Sequence, residues 1–279
     1  MTLTPKTGKV ILAGAGPGDP ELLTMKAARF LQNADVVLVD RLVSKEILTN
    51  YISPKAEIIY VGKQCRRGVS TPQKTINELM IENALLGKLV VRLKGGDVSI
   101  FSNILDELES LVANNIEYEI IPGVTAALGA AAFAGIPLTA RGYATSVRFL
   151  TYYKSDVVTD EYWKELANTE DTLVFYMSSE TLSNVVEKLT AHHIHEDKLL
   201  AIIEQTTTPF QKVQVMNLYD FKRKISTPNF ISPTLIIIGR VVSLHENFKW
   251  LANSSSKEFY FKPMSLIPNL QPEKITNVS

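Results

Sequence analysis

Residues Gly14 to Thr24, GAGPGDPELLT, follow directly on an apolar run from Lys9 to Ala13 that reads as a β-strand. Strand, glycine loop and helix in that order suggest a dinucleotide turn, in which the third glycine of G-x-G-x-x-G leaves the helix N-terminus open to a pyrophosphate. Here Asp19 stands in that third place, with Pro20 behind it. A carboxylate there caps the helix, with proline at the first helical position, and repels a phosphate approaching the same end. The loop therefore suits a ligand without phosphates. S-adenosylmethionine is such a ligand, being an adenosine, a sulfonium and an amino-acid head group. An NAD-dependent oxidoreductase is the alternative that Asp19 argues against.

Other stretches place chemistry at strand ends. Asp40 closes the second apolar run and precedes Arg41; it either serves a ligand, as a ribose-binding carboxylate would, or only caps the turn before a helix at Ser44. The loop GKQCRRG, Gly62 to Gly68, gathers Lys63, Arg66 and Arg67, three cations that repel one another unless an anion arrives or water solvates them. In RLKGGD, Arg92 to Asp97, two successive glycines at a strand end let a ligand lie against backbone, or simply make a tight turn. PGVTAALGAAAFA, from Pro122, opens a helix of small residues, and Thr125 and Ala126 offer a hydroxyl and unspent N–H groups at its start. His192, His193, His195 and His245 complete no coordination pattern, so no metal is expected, and Cys65 reads as a plain loop cysteine with basic neighbours. No Walker loop, G-x-S-x-G elbow or HExxH is present.

The elements that must hold these loops alternate short apolar runs with amphipathic ones. Strands are expected at Lys9–Ala13, Val36–Asp40, near Glu57–Val61, at Leu89–Lys94 and at Glu117–Ile121, with helices over Pro20–Gln32 and from Thr71-Pro72 to Gly87. That rhythm predicts an α/β domain with a mostly parallel sheet. Runs at Val147–Thr151, Thr172–Tyr176 and Leu199–Glu204 continue it. A turn at QTTTPF and the runs Lys212–Met216 and Thr234–Gly239, read as neighbouring strands, then predict a second, mixed sheet. The expected domains are 8–140, 141–245 and an extension over 246–279.

With 279 residues, 46% of them hydrophobic, the chain can bury a sizeable core. Basic and acidic residues balance at 29 each, so no global field draws nucleic acid, and an anionic ligand needs a local cluster. The single cysteine, the polar N-terminus and the lack of a long apolar run fit a cytoplasmic protein that does not enter a membrane.

Taken together, GAGPGDPELLTMKA, NADVVLVDRLV, VGK, VVRLKGGD, IPGVTAALGAAAFAGIPLT, DTLVFYM, EQTTTPFQ and PTLIIIG resemble, in order, the blocks of the tetrapyrrole methyltransferase superfamily, and closely those of its uroporphyrinogen-III C-methyltransferases, across Gly8 to Leu244. The resemblance implies two α/β domains of the tetrapyrrole methylase type with the active cleft between them, and a homodimer. It also implies S-adenosylmethionine as methyl donor, leaving as S-adenosylhomocysteine. The cofactor residues it implies are Pro17, Gly95, Gly96, Asp97, Ile100, Thr125, Ala126, Met177, Ala201 and Thr234. On the tetrapyrrole side it implies Asp40, Arg41, Arg141 and Met177, with Lys63, Arg66 and Arg67 for the acetate and propionate groups. The implied reaction methylates carbons 2 and 7 of uroporphyrinogen III to give precorrin-2, on the way to sirohaem or cobalamin.

The chain departs from the family around the substrate. The block GRGGEE reads SNILDE here, so Asn103 replaces an arginine thought to act as base, and Asp106 replaces a glutamate. Val98 replaces a proline, Ala140 a histidine, and Thr151-Tyr152-Tyr153 the block TGH. A relocated base, Asp106 or Arg141, keeps the enzyme active on this reading. A methyltransferase for a later precorrin and a silent cofactor-binding homologue are the alternatives.

Overall fold

The computed structural model describes residues 7–61, 72–153, 157–225 and 229–261. The described chain forms two compact units, which divide at Thr125/Ala126.

The first unit is a five-stranded sheet in the order β3-β2-β4-β1-β5, with β1 Lys9–Gly14, β2 Val36–Val39, β3 Glu57–Tyr60, β4 Leu89–Lys94 and β5 Glu117–Ile121. Every strand pair in it is parallel, so both faces must be covered. On one face Ile11, Ala13, Val37, Val39, Val91 and Leu93 pack with α1 (Met25–Asn33) and α2 (Lys45–Tyr51). The alternate residues Val10, Leu12, Val36, Leu38 and Val90 face α3 (Gln73–Leu85) and α4 (Ile104–Ala113). Burial on both sides explains why β1 and β2 read as unbroken apolar runs.

The second unit contains α5 (Ala126–Ala134) and a mixed sheet in the order β6-β7-β10-β8-β9. Its strands are β6 Val147–Thr151, β7 Thr172–Tyr176, β8 Leu199–Glu204, β9 Lys212–Asn217 and β10 Thr234–Gly239. Strands β6 and β7 are parallel; β10 lies antiparallel between β7 and β8. Helices α6 (Asp160–Asn168) and α7 (Leu182–Ala191) cover one face through Trp163, Leu166, Leu182, Val185 and Leu189.

Three expectations need correcting. The helix read over Pro20–Gln32 is two pieces: a single 3-10 turn, Pro20–Leu22, and then α1, because Thr24 leaves the helical conformation and its hydroxyl accepts the Ala27 N–H at 3.2 Å. Strands β9 and β10 are not neighbours, since β8 lies between them and pairs with both. The chain also divides earlier than residue 140. Helix α5 belongs with the second unit, where its carbonyls accept from Gln211 (to Phe133, 3.2 Å) and Trp250 (to Ala132, 2.8 Å). By the same contacts the segment through Tyr260 is part of that unit and not an extension. Asn253 exchanges two hydrogen bonds with Val213 of β9, at 2.7 and 2.9 Å, and the Tyr260 N–H reaches the Gln205 side chain at 2.7 Å.

Candidate functional site

In an open parallel sheet the loops beyond the carboxyl ends of the strands are the natural ligand edge. In the first unit this edge gathers Pro17 after β1, Asp40 and Arg41 after β2, Gly95 to Asp97 after β4, and Gly123 to Thr125 after β5. Gly16 and Gly96 exchange backbone hydrogen bonds at 3.1 and 2.7 Å. A Cβ on Gly123 would lie 2.3 Å from the Gly96 carbonyl oxygen, and one on Gly14 would lie 2.6 Å from the same atom. Asp97 braces the cluster, accepting from the Ser99 N–H at 2.8 Å and the Gly123 N–H at 2.9 Å. Main chain therefore packs on main chain here, and a ligand beside the loops meets peptide groups in place of side chains.

After β1 the helix starts are already spent, whereas α2 and α4 begin without a side-chain cap. Asp19 accepts from the Glu21 N–H at 2.9 Å, with Pro20 at the first position, as its sequence context predicts. Thr24 caps α1. In the second unit the Tyr176 hydroxyl takes the Ala127 N–H at 3.1 Å, so one donor expected to be unspent at the start of α5 is occupied, and Thr125 is buried and partnered. A β1 loop whose helix starts are capped, beside glycine-exposed backbone, fits an adenosyl ligand that carries no phosphate.

The second unit has its own such edge. Met177 follows β7, Gln205 to Thr208 follow β8, and Thr234 begins the antiparallel β10 opposite Glu204. Met177, Gln205 and Thr207 have φ of 52°, 49° and 63°, a left-handed conformation that is unusual for non-glycine residues and strained for a β-branched one. Gln211 holds the loop, its Oε1 accepting from the Thr206 hydroxyl at 3.1 Å and from the Thr207 N–H at 2.9 Å. The Met177 side chain is exposed, with the Tyr153 hydroxyl 3.1 Å from its sulfur. Ala201 differs from its companions: it lies inside β8, fully buried.

Among the acid–base candidates, Asp40 is half-buried and accepts from the Arg41 N–H at 2.8 Å. Asp106 is exposed on the first turn of α4, where its Oδ2 accepts from Asn103 Nδ2 at 2.6 Å. Asn103 itself has a φ of 55°, a conformation asparagine tolerates better than most residues. Arg141 is exposed at the tip of a tight turn closed by reciprocal Ala140 and Ala144 hydrogen bonds. Ile100 is half-buried in the segment between β4 and α4. Lys63, Cys65, Arg66 and Arg67 lie outside the described residues. Among the described residues no group of three or more His, Cys, Asp or Glu could hold a metal ion, and no helix is long and apolar enough to cross a membrane.

Sequence reading missed a charged cluster beneath the first edge. Arg92 and Lys94 point to the α3/α4 face of β4 where the alternation calls for apolar residues, and fully buried Glu107 on α4 binds both, at 3.1 Å to Arg92 Nε and 2.7 Å to Lys94 Nζ. Burial pulls the Lys94 ammonium below its usual pKa, and the Glu107 charge opposes that shift. The available signal was two cations at alternate positions of one strand.

Comparisons with known proteins agree with this geometry. Residues 9–222 match the family model of tetrapyrrole (corrin/porphyrin) methylases. A siroheme synthase of Acinetobacter baylyi is 48% identical over 89% of this chain and 54% of its own length, so the chain spans about half of that curated relative. The crystal structure of a uroporphyrin-III C-methyltransferase from Thermus thermophilus in complex with S-adenosylhomocysteine superposes with a TM-score of 0.71 at 33% identity, covering 85% of this chain and 100% of that one. A cobalt precorrin-4 methyltransferase gives a TM-score of 0.74 at 28% identity, over 84% and 95% of the two chains.

Proposed function

Because the chain belongs to the tetrapyrrole methylase family, we propose that it transfers two methyl groups, one per S-adenosylmethionine, to carbons 2 and 7 of uroporphyrinogen III, giving precorrin-2. Methyl transfer from S-adenosylmethionine to a tetrapyrrole is the chemistry the family carries. The observation that supports the cofactor most directly is the glycine-lined edge of the first unit, with the helix starts after β1 capped by Asp19 and Thr24. The names of the relatives support the particular step.

When bound, the sulfonium supplies an electrophilic methyl group to an electron-rich pyrrole carbon. The task of the chain is then alignment, which in a near-attack geometry is worth ~7 to 11 kcal/mol of the barrier. Pro17, the Gly95–Asp97 turn, Ile100, Thr125 and Ala126 from the first edge and α5, and Met177, Ala201 and Thr234 from the second unit, are the residues proposed to hold the cofactor. Asp40, Arg41, Arg141 and Met177 are proposed to face the macrocycle, with Lys63, Arg66 and Arg67 pairing its carboxylates. A proton must leave the macrocycle once the new bond forms. In place of Asp106 or Arg141, the bases expected from the sequence, Asp40 is the better acceptor on this reading, because it is half-buried on the ligand edge whereas Asp106 is exposed and hydrogen-bonded to Asn103 and Arg141 is exposed. The family resemblance further supports a homodimer, which light scattering would test.

The deciding experiment is anaerobic incubation with uroporphyrinogen III and S-adenosylmethionine, following tetrapyrrole mass. Two successive methyl additions are expected. The precorrin-4 methyltransferase likeness favours a second reading, a later precorrin as substrate. No mass gain on uroporphyrinogen III, with a gain on a later precorrin, would replace the first reading by the second. No gain on any tetrapyrrole, with S-adenosylhomocysteine still bound, would leave a silent homologue.

A further inference from the structure

The ends of β6 and β7 are tied together by more than strand pairing. Just after β6 the Tyr152 N–H donates to the Ser178 hydroxyl at 3.0 Å, and the Tyr152 carbonyl accepts from the Thr181 hydroxyl at 2.8 Å. Ser178 and Thr181, which follow β7, are both fully buried. The Tyr152 ring meets Trp163 of the core edge-on, with ring centroids 5.0 Å apart. Backbone and side chain of Tyr152 are thus held at once, and the next residue starts from a fixed point. That residue, Tyr153, is half-buried and brings its hydroxyl to 3.1 Å from the Met177 sulfur.

The contact has a direction. A thioether has no proton to give, so the phenol donates and the sulfur accepts. The Met177 side chain is 42% exposed and has three rotatable bonds, so on its own it would sample several rotamers in water. A hydrogen bond at the sulfur fixes the first two of those bonds and leaves only the terminal methyl to turn. The Met177 backbone is held by other groups. Its left-handed turn, with φ 52°, lies between Tyr176 and Ser178, and the Ser178 hydroxyl closes it by donating to the Tyr176 carbonyl at 2.8 Å. Tyr176 is tied in turn to the start of α5 through its own hydroxyl. Tyr153 therefore governs the side chain of Met177 and not its main chain.

We propose that Tyr153 is a positioning residue for Met177: its hydroxyl fixes the thioether so that the side chain stands as a firm wall against the tetrapyrrole and helps align the carbon that receives the methyl group. The assignment rests on the reading above that Met177 faces the macrocycle. Tyr153 stands in place of the last residue of the family block TGH, one of the departures that the resemblance sets around the substrate. The hydroxyl gives this chain its own means of shaping that wall.

The test uses the full chain and begins with a spectroscopic signature. Protein labelled with methionine carrying a 13C methyl group gives one NMR signal per methionine, six in all, and Met177→Leu identifies the signal of Met177. Tyr153→Phe, which removes only the hydroxyl, is expected to shift and sharpen that signal. It should also slow single-turnover methyl transfer about fivefold, with S-adenosylhomocysteine affinity by calorimetry within about twofold and the unfolding midpoint unchanged. In a Met177→Leu background, Tyr153→Phe should cost nothing further, because its effect runs through the missing sulfur. A Met177 signal that does not move, additive losses in the cycle, or a loss of cofactor affinity matching the loss of rate would overturn the proposal. If Met177→Leu by itself leaves transfer unchanged while Tyr153→Phe still moves the signal, the hold on the thioether stands and it is the placement of Met177 at the tetrapyrrole that fails, which separates that outcome from failure of the inference.

Discussion

The two loop edges solve one problem by opposite means. In the first unit, glycines remove side chains until backbone touches backbone, and Asp97 is the brace that joins the Gly95–Asp97 turn to Gly123. In the second, Met177, Gln205 and Thr207 take up left-handed conformations that glycine would adopt more easily, and Gln211 supplies the hydrogen bonds that hold the loop there. The first edge thus tolerates no added atom. The second keeps its side chains at the expense of strain, which marks it as the edge where side-chain identity matters.

The largest effect should come from Gly123→Ala, whose methyl would fall within 2.3 Å of the Gly96 carbonyl. Because the obstacle is backbone, a loss of about 3 kcal/mol in stability is expected, together with loss of S-adenosylhomocysteine binding; denaturant unfolding and calorimetry would show both. Intact binding would mean that the glycine contact is not needed. Gln211→Ala comes next. It strips a buried hydroxyl, a backbone N–H and the Phe133 carbonyl of their partner, at about 2 kcal/mol, and a Tm within a degree of the parent would refute the role given to that amide. Asp97→Asn should cost about 1 kcal/mol, since an amide keeps one acceptor for two backbone donors; hydrogen exchange at Gly123 would report the loosened brace. The smallest change has the opposite sign. Thr207→Gly should relieve strain on the order of 1 kcal/mol, partly offset by glycine's greater freedom when unfolded, so Tm should hold or rise slightly; a clear fall would show that the threonine side chain outweighs its backbone cost.

Which parts were legible in the sequence follows from the same physics. Strands β1, β2 and β4 announce themselves because a parallel sheet covered on both faces needs apolar runs, and the glycine turns stand at their ends. The break before α1 was hidden because Thr24 sits within a periodic pattern and reads as an ordinary helix residue until its hydroxyl is seen to accept the Ala27 N–H. The order of β9 and β10 was hidden because pairing across a long connection leaves no local mark. The membership of α5 depends on Gln211 and Trp250, far along the chain, reaching its carbonyls. At the site, residue types marked the glycine turns at the strand ends, but the buried Glu107 gained its meaning only when Arg92 and Lys94 proved to face it.

Asn253 gives the second sheet a finished border. Its side-chain amide imitates a strand residue, answering both the N–H and the C=O of Val213 on the outermost strand, β9, while the Ser254 N–H does the same for the Gln211 carbonyl. An outer strand left with open peptide groups is a template on which a further chain can add itself. Shortening the protein to before Asn253 would therefore expose a sticky seam, and such a truncated form should lose solubility with rising concentration even where the glycine-lined edge of the first unit is untouched.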